Sequence, residues 1–180
     1  MSNWKRRVLT WLAHHIGVGS VLGWTRHHRW HHEYSDTDRD LHSPTKNGIP
    51  HILFVVWDAN IPRRMIKDLL QDSTLLWWHK NYYKYHIGVV VALLILSPWA
   101  LVFLYAAPNL FCLLSGYVIA IFPHRTGEVK NSLLTEILTF GEGWHLHHHN
   151  NPKDYRFNRF DITAIIIDWF LKESRSNDVK

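Results

Sequence analysis

Two histidine clusters carry the chemistry this chain can do: His28-Arg29-Trp30-His31-His32 and His145-Leu146-His147-His148-His149. Both contain H-x-x-H-H. On a helix, positions i, i+3 and i+4 share a face, so each cluster can aim three imidazoles at one point. The candidate ligands are therefore His28, His31 and His32 in the first cluster and His145, His148 and His149 in the second. Neutral imidazole suits zinc, copper, iron and nickel. Six nitrogens are too many for one tetrahedral zinc and suit two metals. A pair of irons with open positions can bind and activate O2. Soluble di-iron proteins use carboxylate-rich bundles. Histidine dominates here, so the centre is expected to be of the all-histidine kind.

The remaining histidines read differently. His27 and His147 lie inside the clusters but off the i, i+3, i+4 register, which suits outer or surface roles. His51, His79 and His86 read as ordinary core or surface residues, and His42 as a loop residue. The flanks Gly141-Glu142-Gly143-Trp144 argue against an artificial tag at His147–His149.

An uncharged apolar segment, Ile87–Phe122, separates the clusters. As one helix it would run about 54 Å, against a hydrocarbon core of about 30 Å, so it must fold back. Ala106-Ala107-Pro108-Asn109 is the expected turn, because proline breaks a helix and asparagine favours turns. The expected legs are Ile87–Tyr105 and Leu110–Phe122. Lys80 and Lys84 precede the hairpin, and His124, Arg125 and Lys130 follow it. Positive charge at both ends places both on the cytoplasmic side. Two crossings bring the His clusters to the same side, where one crossing would separate them.

Composition narrows the class further. The chain has 180 residues with 15 His, 10 Trp and a single Cys, and a formal charge of +5. One cysteine excludes an internal disulfide and a Cys-based zinc or iron–sulfur site; Cys112 reads as a small hydrophobe. Lysine and arginine are scattered, apart from Lys5–Arg7 and Arg63–Arg64, which excludes a nucleic-acid stripe. Val8–Trp24 is interrupted by His14 and His15 and lacks a cleavage site, so it reads as an interfacial or buried segment and not a signal peptide. Tyr34–Pro50 is rich in turn and cap residues. Arg63–His79 has helical periodicity. Asp161–Lys172 reads as an amphipathic helix burying Ile162, Ile165, Ile166, Trp169 and Phe170. The expectation is an all-α integral membrane protein, a single domain over residues 1–172 with a transmembrane hairpin at about 87–122 and a cytoplasmic His-rich helical cap, followed by a disordered tail over 173–180.

The motifs resemble those of the membrane-bound fatty acid desaturases of the delta-9 acyl-CoA/acyl-lipid type, from about Leu22 to Phe170. His28–His32 with Tyr34-Ser35-Asp36-Thr37-Asp38 and Asp40-Leu41-His42-Ser43-Pro44 is similar to the family's second box and trailing loop. Ile66–Asp72 and Lys80-Asn81-Tyr82-Tyr83 resemble further landmarks. Gly141–His149 with Asn151-Pro152-Lys153-Asp154-Tyr155-Arg156 is similar to the third box. The resemblance implies two iron ions held by His28, His31, His32, His145, His148 and His149, joined by His124 as the extra ligand ahead of the third box. Read without the family, His124 is a lone interfacial histidine. Glu142 is expected to accept a hydrogen bond from a ligand N–H, and Trp24 and Trp144 to line the acyl chain or sit as interfacial aromatics.

The implied reaction is O2-dependent insertion of a double bond into a fatty acyl chain carried on CoA, a lipid or acyl carrier protein. Electrons would come from a separate ferredoxin or cytochrome b5, since no H-P-G-G haem motif is fused here. Departures from the family pattern stand beside this. The first box, H-x-x-x-x-H, lies upstream of the matched region in the family, and the adjacent His14-His15 lack its spacing. Ala120 and Leu41 stand where the family has asparagine and proline. Low activity of these 180 residues alone is therefore expected, with a partner-dependent or inactive fragment, a related His-box hydroxylase and a non-catalytic membrane metal-binding protein as the alternatives.

Overall fold

The computed structural model describes residues 3–15, 18–54, 60–158 and 161–172. Among them every regular element is helical. The expected tail at 173–180 and the side chain of Phe170 lie outside the described residues. Two compact units form: one from Met1–Lys5, His31–Val56 and Ser115–Lys180, the other from Arg6–Trp30 and Trp57–Leu114.

The second of these units holds α1 (Asn3–Ala13) from Arg6 onward, the first part of α2 (Val21–Tyr34), α5 (Ser73–Leu96) and α6 (Pro98–Leu101). The helical stretch expected from Arg63 is shorter than its periodicity suggests. A single 3-10 turn, Arg63–Ile66, follows Pro62, and the long helix begins only at Ser73. The cause is Asp72, whose side chain accepts from the backbone N–H groups of Thr74 and Leu75 at 2.9 and 3.3 Å, a strong N-cap. Arg6 also pairs with Asp72 at 2.6 Å, and Arg29 makes a two-pronged pair with Asp68 at 2.6 and 3.0 Å.

The apolar segment folds back, but not where proline and asparagine suggested. The chain turns at Ser97-Pro98: Ser97 is extended (φ −174°, ψ 141°), caps Trp99 at 3.2 Å, and is followed by proline at the first helical position. A residue before proline avoids the helical region, so α5 stops at Leu96. From Pro98 a continuous helix of 24 residues runs to Ile121 through α6, a π turn at Val102–Ala106 and α7 (Ala107–Ile121). Pro108 is absorbed within it. The π turn, in which the Ala107 N–H bonds the Val102 carbonyl, loosens the helix just before the proline ring. At about 36 Å this helix is long enough to cross a bilayer, and among the described residues it alone is long and apolar enough. Tyr105 of this helix reaches back to α5, its hydroxyl 2.6 Å from His86 Nδ1.

The other unit contains the end of α2, the loop after it, α3 (Pro44–Asn47), α4 (Ile49–Phe54), the end of α7, α8 (Leu133–Thr139), α9 (His145–Asn150) and α10 (Ile162–Lys172). Ser132 caps α8 through Thr135 N–H at 3.2 Å. Asp161 caps α10 through Ala164 N–H at 2.9 Å. The apolar stripe of α10 faces outward, against expectation. Ile162, Ile165, Ile166 and Trp169 are 50–73% exposed, while Ala164 is fully buried. Periodicity marks an apolar face without saying what covers it. Here the small alanine packs inward, beside the aspartate that caps the helix.

Candidate metal centre

Three pieces of chain meet in this second-described unit to form the centre. The last turn of α2 supplies His31 and His32, the segment leaving α7 supplies His124, and α9 supplies His145, His148 and His149. The ligand atoms of His31, His124, His145 and His149 all lie within 4.8 Å of one another. His124 Nε2 is 3.0 Å from His145 Nε2, which is 3.2 Å from His149 Nε2. Beside them, His32 Nε2 lies 2.9 Å from His148 Nε2, and the His32 ring stacks on His149 with centroids 4.2 Å apart. His28 stands one turn before His32 on α2, in the part that belongs to the other unit, and stacks on Trp24 at 4.4 Å.

The start of α9 is fixed by close packing against α8. Phe140 is left-handed (φ 59°) and Gly141 has φ 139°. Gly143 donates to Glu136 Oε2 at 2.9 Å and accepts from Ser132 N–H at 2.8 Å. A Cβ on Gly143 would overlap the backbone of Glu136 and the carbonyl oxygen of Ser132. The Gly-Glu-Gly-Trp sequence thus lets α9 begin against α8 with His145 turned inward and 3% exposed.

Two aspartates back the histidines. His31 donates from Nδ1 to both oxygens of Asp40, at 3.0 and 2.9 Å. His124 donates from Nδ1 to Asp36 Oδ2 at 2.9 Å. Asp36 and Asp40 were not singled out as site residues from sequence, where they read as ordinary turn formers. The available signal was their place just behind the first His cluster. Glu142 forms no such bond. Its electrostatic neighbours are Asp161 and Glu136, and burial, then those two carboxylates, push its pKa up to about 7. The carboxylates that pair with cluster histidines here are Asp36 and Asp40. Trp144 is 43% exposed at the N-cap of α9, and Trp24 is 41% exposed on α2.

Their surroundings favour the neutral form of His31, His32, His145, His148 and His149. Burial is the largest cause for each: it holds His31 well below the usual range, His32 at about 4 and His149 at about 2, and it lowers His145 and His148 too. Mutual repulsion adds to this, from His124 at His31, His148 at His32 and His31 at His149. Neutral rings carry a free lone pair at pH 7, the form a metal needs. His147 differs: it pairs with exposed Asp154 at 3.1 Å, facing away from the cluster.

The donor set fits a metal ion. With Nδ1–H of His124 committed to Asp36, its Nε2 presents a lone pair toward His145. In the tautomer that leaves each Nε2 unprotonated, the form a metal takes, lone pairs facing each other at 3.0–3.2 Å repel unless a cation lies between them. Nitrogens about 2.0–2.1 Å from one ion, at octahedral to tetrahedral angles, are themselves about 2.8–3.4 Å apart, a range that contains the observed 3.0 and 3.2 Å.

Comparison with curated proteins points one way. The chain is 30% identical to a probable acyl-CoA desaturase of Schizosaccharomyces pombe, over 83% of this chain and 36% of that one. It is 29% identical to an icosanoyl-CoA 5-desaturase of Limnanthes douglasii, over 85% and 47%. It is 30% identical to an sn-1 stearoyl-lipid 9-desaturase of Synechocystis, over 90% and 56%. The chain thus spans from about a third to three-fifths of the length of the curated relatives it matches. No family model matches, and no solved structure matches.

Proposed function

The chain belongs to the fatty acid desaturase family, and from that membership we propose that it takes part in O2-dependent desaturation of a fatty acyl chain at a histidine-held di-iron centre. The observation that carries the proposal is the convergence of His31, His124, His145 and His149, three buried imidazoles and one half-buried, with their ligand atoms within 4.8 Å of one another. His32 and His148 form the second group. His28, one turn before His32 on the same helix, completes it by register.

When bound, iron supplies O2 activation: O2, two electrons from an outside donor and two protons take two hydrogens from adjacent methylenes and yield a double bond and two waters. The chain's own residues do the rest. His31 and His124 are held by Asp40 and Asp36, so their Nε2 atoms point into the cluster. Burial of His31, His124 and His145 keeps bulk water from these ligands. The α8–α9 junction sets His145 and His149 opposite them.

The acyl substrate, on CoA or a lipid, reaches the site from the membrane in which Pro98–Ile121 sits. Arg125 and Lys130 beyond that helix, and Lys80 and Lys84 on α5, support a cytoplasmic cap by the positive-inside rule. A separate ferredoxin or cytochrome b5 then delivers electrons from that side.

Iron content per purified chain, followed by acyl product analysis in membranes supplied with a reductant and O2, tests the proposal. Iron binding lost in His149→Ala supports it. A chain that takes up no iron refutes it.

A further inference from the structure

Building on the metal reading, we propose that Asp36 and Asp40 form a two-carboxylate clamp, set by the loop after α2, that positions His31 and His124 for a divalent cation and offsets its charge. Asp40 is 1% exposed and makes four contacts that lock the loop. Its Oδ1 accepts from His42 N–H at 2.9 Å and from His31 at 3.0 Å. Its Oδ2 accepts from Asp36 N–H at 2.8 Å and from His31 at 2.9 Å. Asp36 sits in the left-handed region, φ 56°, a conformation aspartate tolerates better than most residues. The bond from its N–H to Asp40 holds it there. In that pose its Oδ1 accepts from the fully buried Ser43 hydroxyl at 2.8 Å, and its Oδ2 takes His124 Nδ1–H.

The clamp is therefore hierarchical. Asp40 positions His31 directly and His124 through the backbone of Asp36. Asp36 positions His124 alone. An ionised carboxylate accepts and never donates, so each histidine presents Nδ1–H to its aspartate and its Nε2 lone pair to the cluster. A divalent ion among neutral imidazoles carries uncompensated charge, and two buried carboxylates one ring away offset it.

The test uses the full chain, stripped of metal in detergent and titrated with Co2+, reading affinity and the visible ligand-field bands. Asp36→Asn can keep both bonds, its amide oxygen facing His124 and its NH2 facing the Ser43 hydroxyl, so it removes charge alone. Asp36→Ala removes charge and orientation. Loss of an outer partner of this kind lowers metal affinity roughly 10–100-fold. The expected order is unchanged chain, then Asp36→Asn, then Asp36→Ala, with altered Co2+ bands in the last. Asp40→Asn is expected to weaken binding at least as much as Asp36→Asn, and its combination with Asp36→Ala to lose less than the product of the two. If Asp40→Asn does not fold, the two Asp36 variants decide. Wild-type affinity and bands in Asp36→Ala, with binding weakened in His124→Ala, overturn the clamp and leave the metal centre standing. No Co2+ binding by the unchanged chain overturns both.

Discussion

Gly143→Ala is expected to damage the centre without touching a histidine. The ideal Cβ would lie 2.5 Å from the Ser132 carbonyl oxygen, and closer still to Glu136, whereas ordinary contact begins at 3.4 Å. The obstructing atoms include the backbone of α8, so no rotamer relieves them. The two segments must part by roughly 1 Å, a scale set by ordinary atomic contact distances. That movement strains the Ser132–Gly143 and Gly143–Glu136 bonds, at 2.8 and 2.9 Å. It also carries His145, two residues on, away from His124. Overpacking of this kind costs about 1–3 kcal/mol, or roughly 2–12 °C in the thermal midpoint of a chain this size. A displacement near 1 Å at reacting groups costs on the order of 100-fold in rate. Thermal unfolding of the metal-free protein, Co2+ affinity and acyl product formation should all fall together. Retention of both the wild-type midpoint and the wild-type metal affinity would refute the close-packing argument.

Other perturbations separate parts of the account. Lowering the pH should destabilise the metal-free protein: the folded state holds His32 at about 4 and His149 at about 2, while in the unfolded chain they titrate near 6.5. Stability is therefore full above 6.5 and declines as pH falls toward 4, because the unfolded state binds more protons; a midpoint flat across that window, read by calorimetry, contradicts neutral buried histidines. His147→Ala should leave iron content unchanged, since His147 faces Asp154, whereas His149→Ala should lower it, and equal losses by elemental analysis contradict the assignment. Asp72→Ala removes the cap of α5 and should cost about 1 kcal/mol. Hydrogen exchange should speed in the first turn of α5 while metal affinity holds; unaltered exchange there contradicts the capping role.

The histidine clusters were legible because their spacing is local: three residues within one helical turn declare a shared face wherever the helix ends up. The carboxylates behind them were less so. Asp36 and Asp40 look like turn residues, and they are; Asp40 meets His31 close by in the chain, while the second use of Asp36 depends on His124, which is distant in sequence and reaches it only through the fold. The fold-back of the apolar segment was legible from its length, but its position was not. Pro108-Asn109 carries the stronger turn composition, yet a π turn absorbs the proline, while Ser97 combines an extended backbone with a cap and a following proline. The stripe on α10 shows the limit of periodicity. Ile162, Ile165, Ile166 and Trp169 do form one face, and Ala164 decides that it points outward.

The most direct test of the proposed chemistry is mass analysis of the acyl product. The iron-loaded protein in membranes is supplied with a reductant, 18O2 and a fatty acyl substrate deuterated along its chain. The account predicts loss of two deuterium atoms from adjacent carbons with no 18O in the product. A hydroxylated product carrying 18O, or unchanged substrate from iron-loaded protein that has also been supplied with a segment carrying H-x-x-x-x-H, contradicts it.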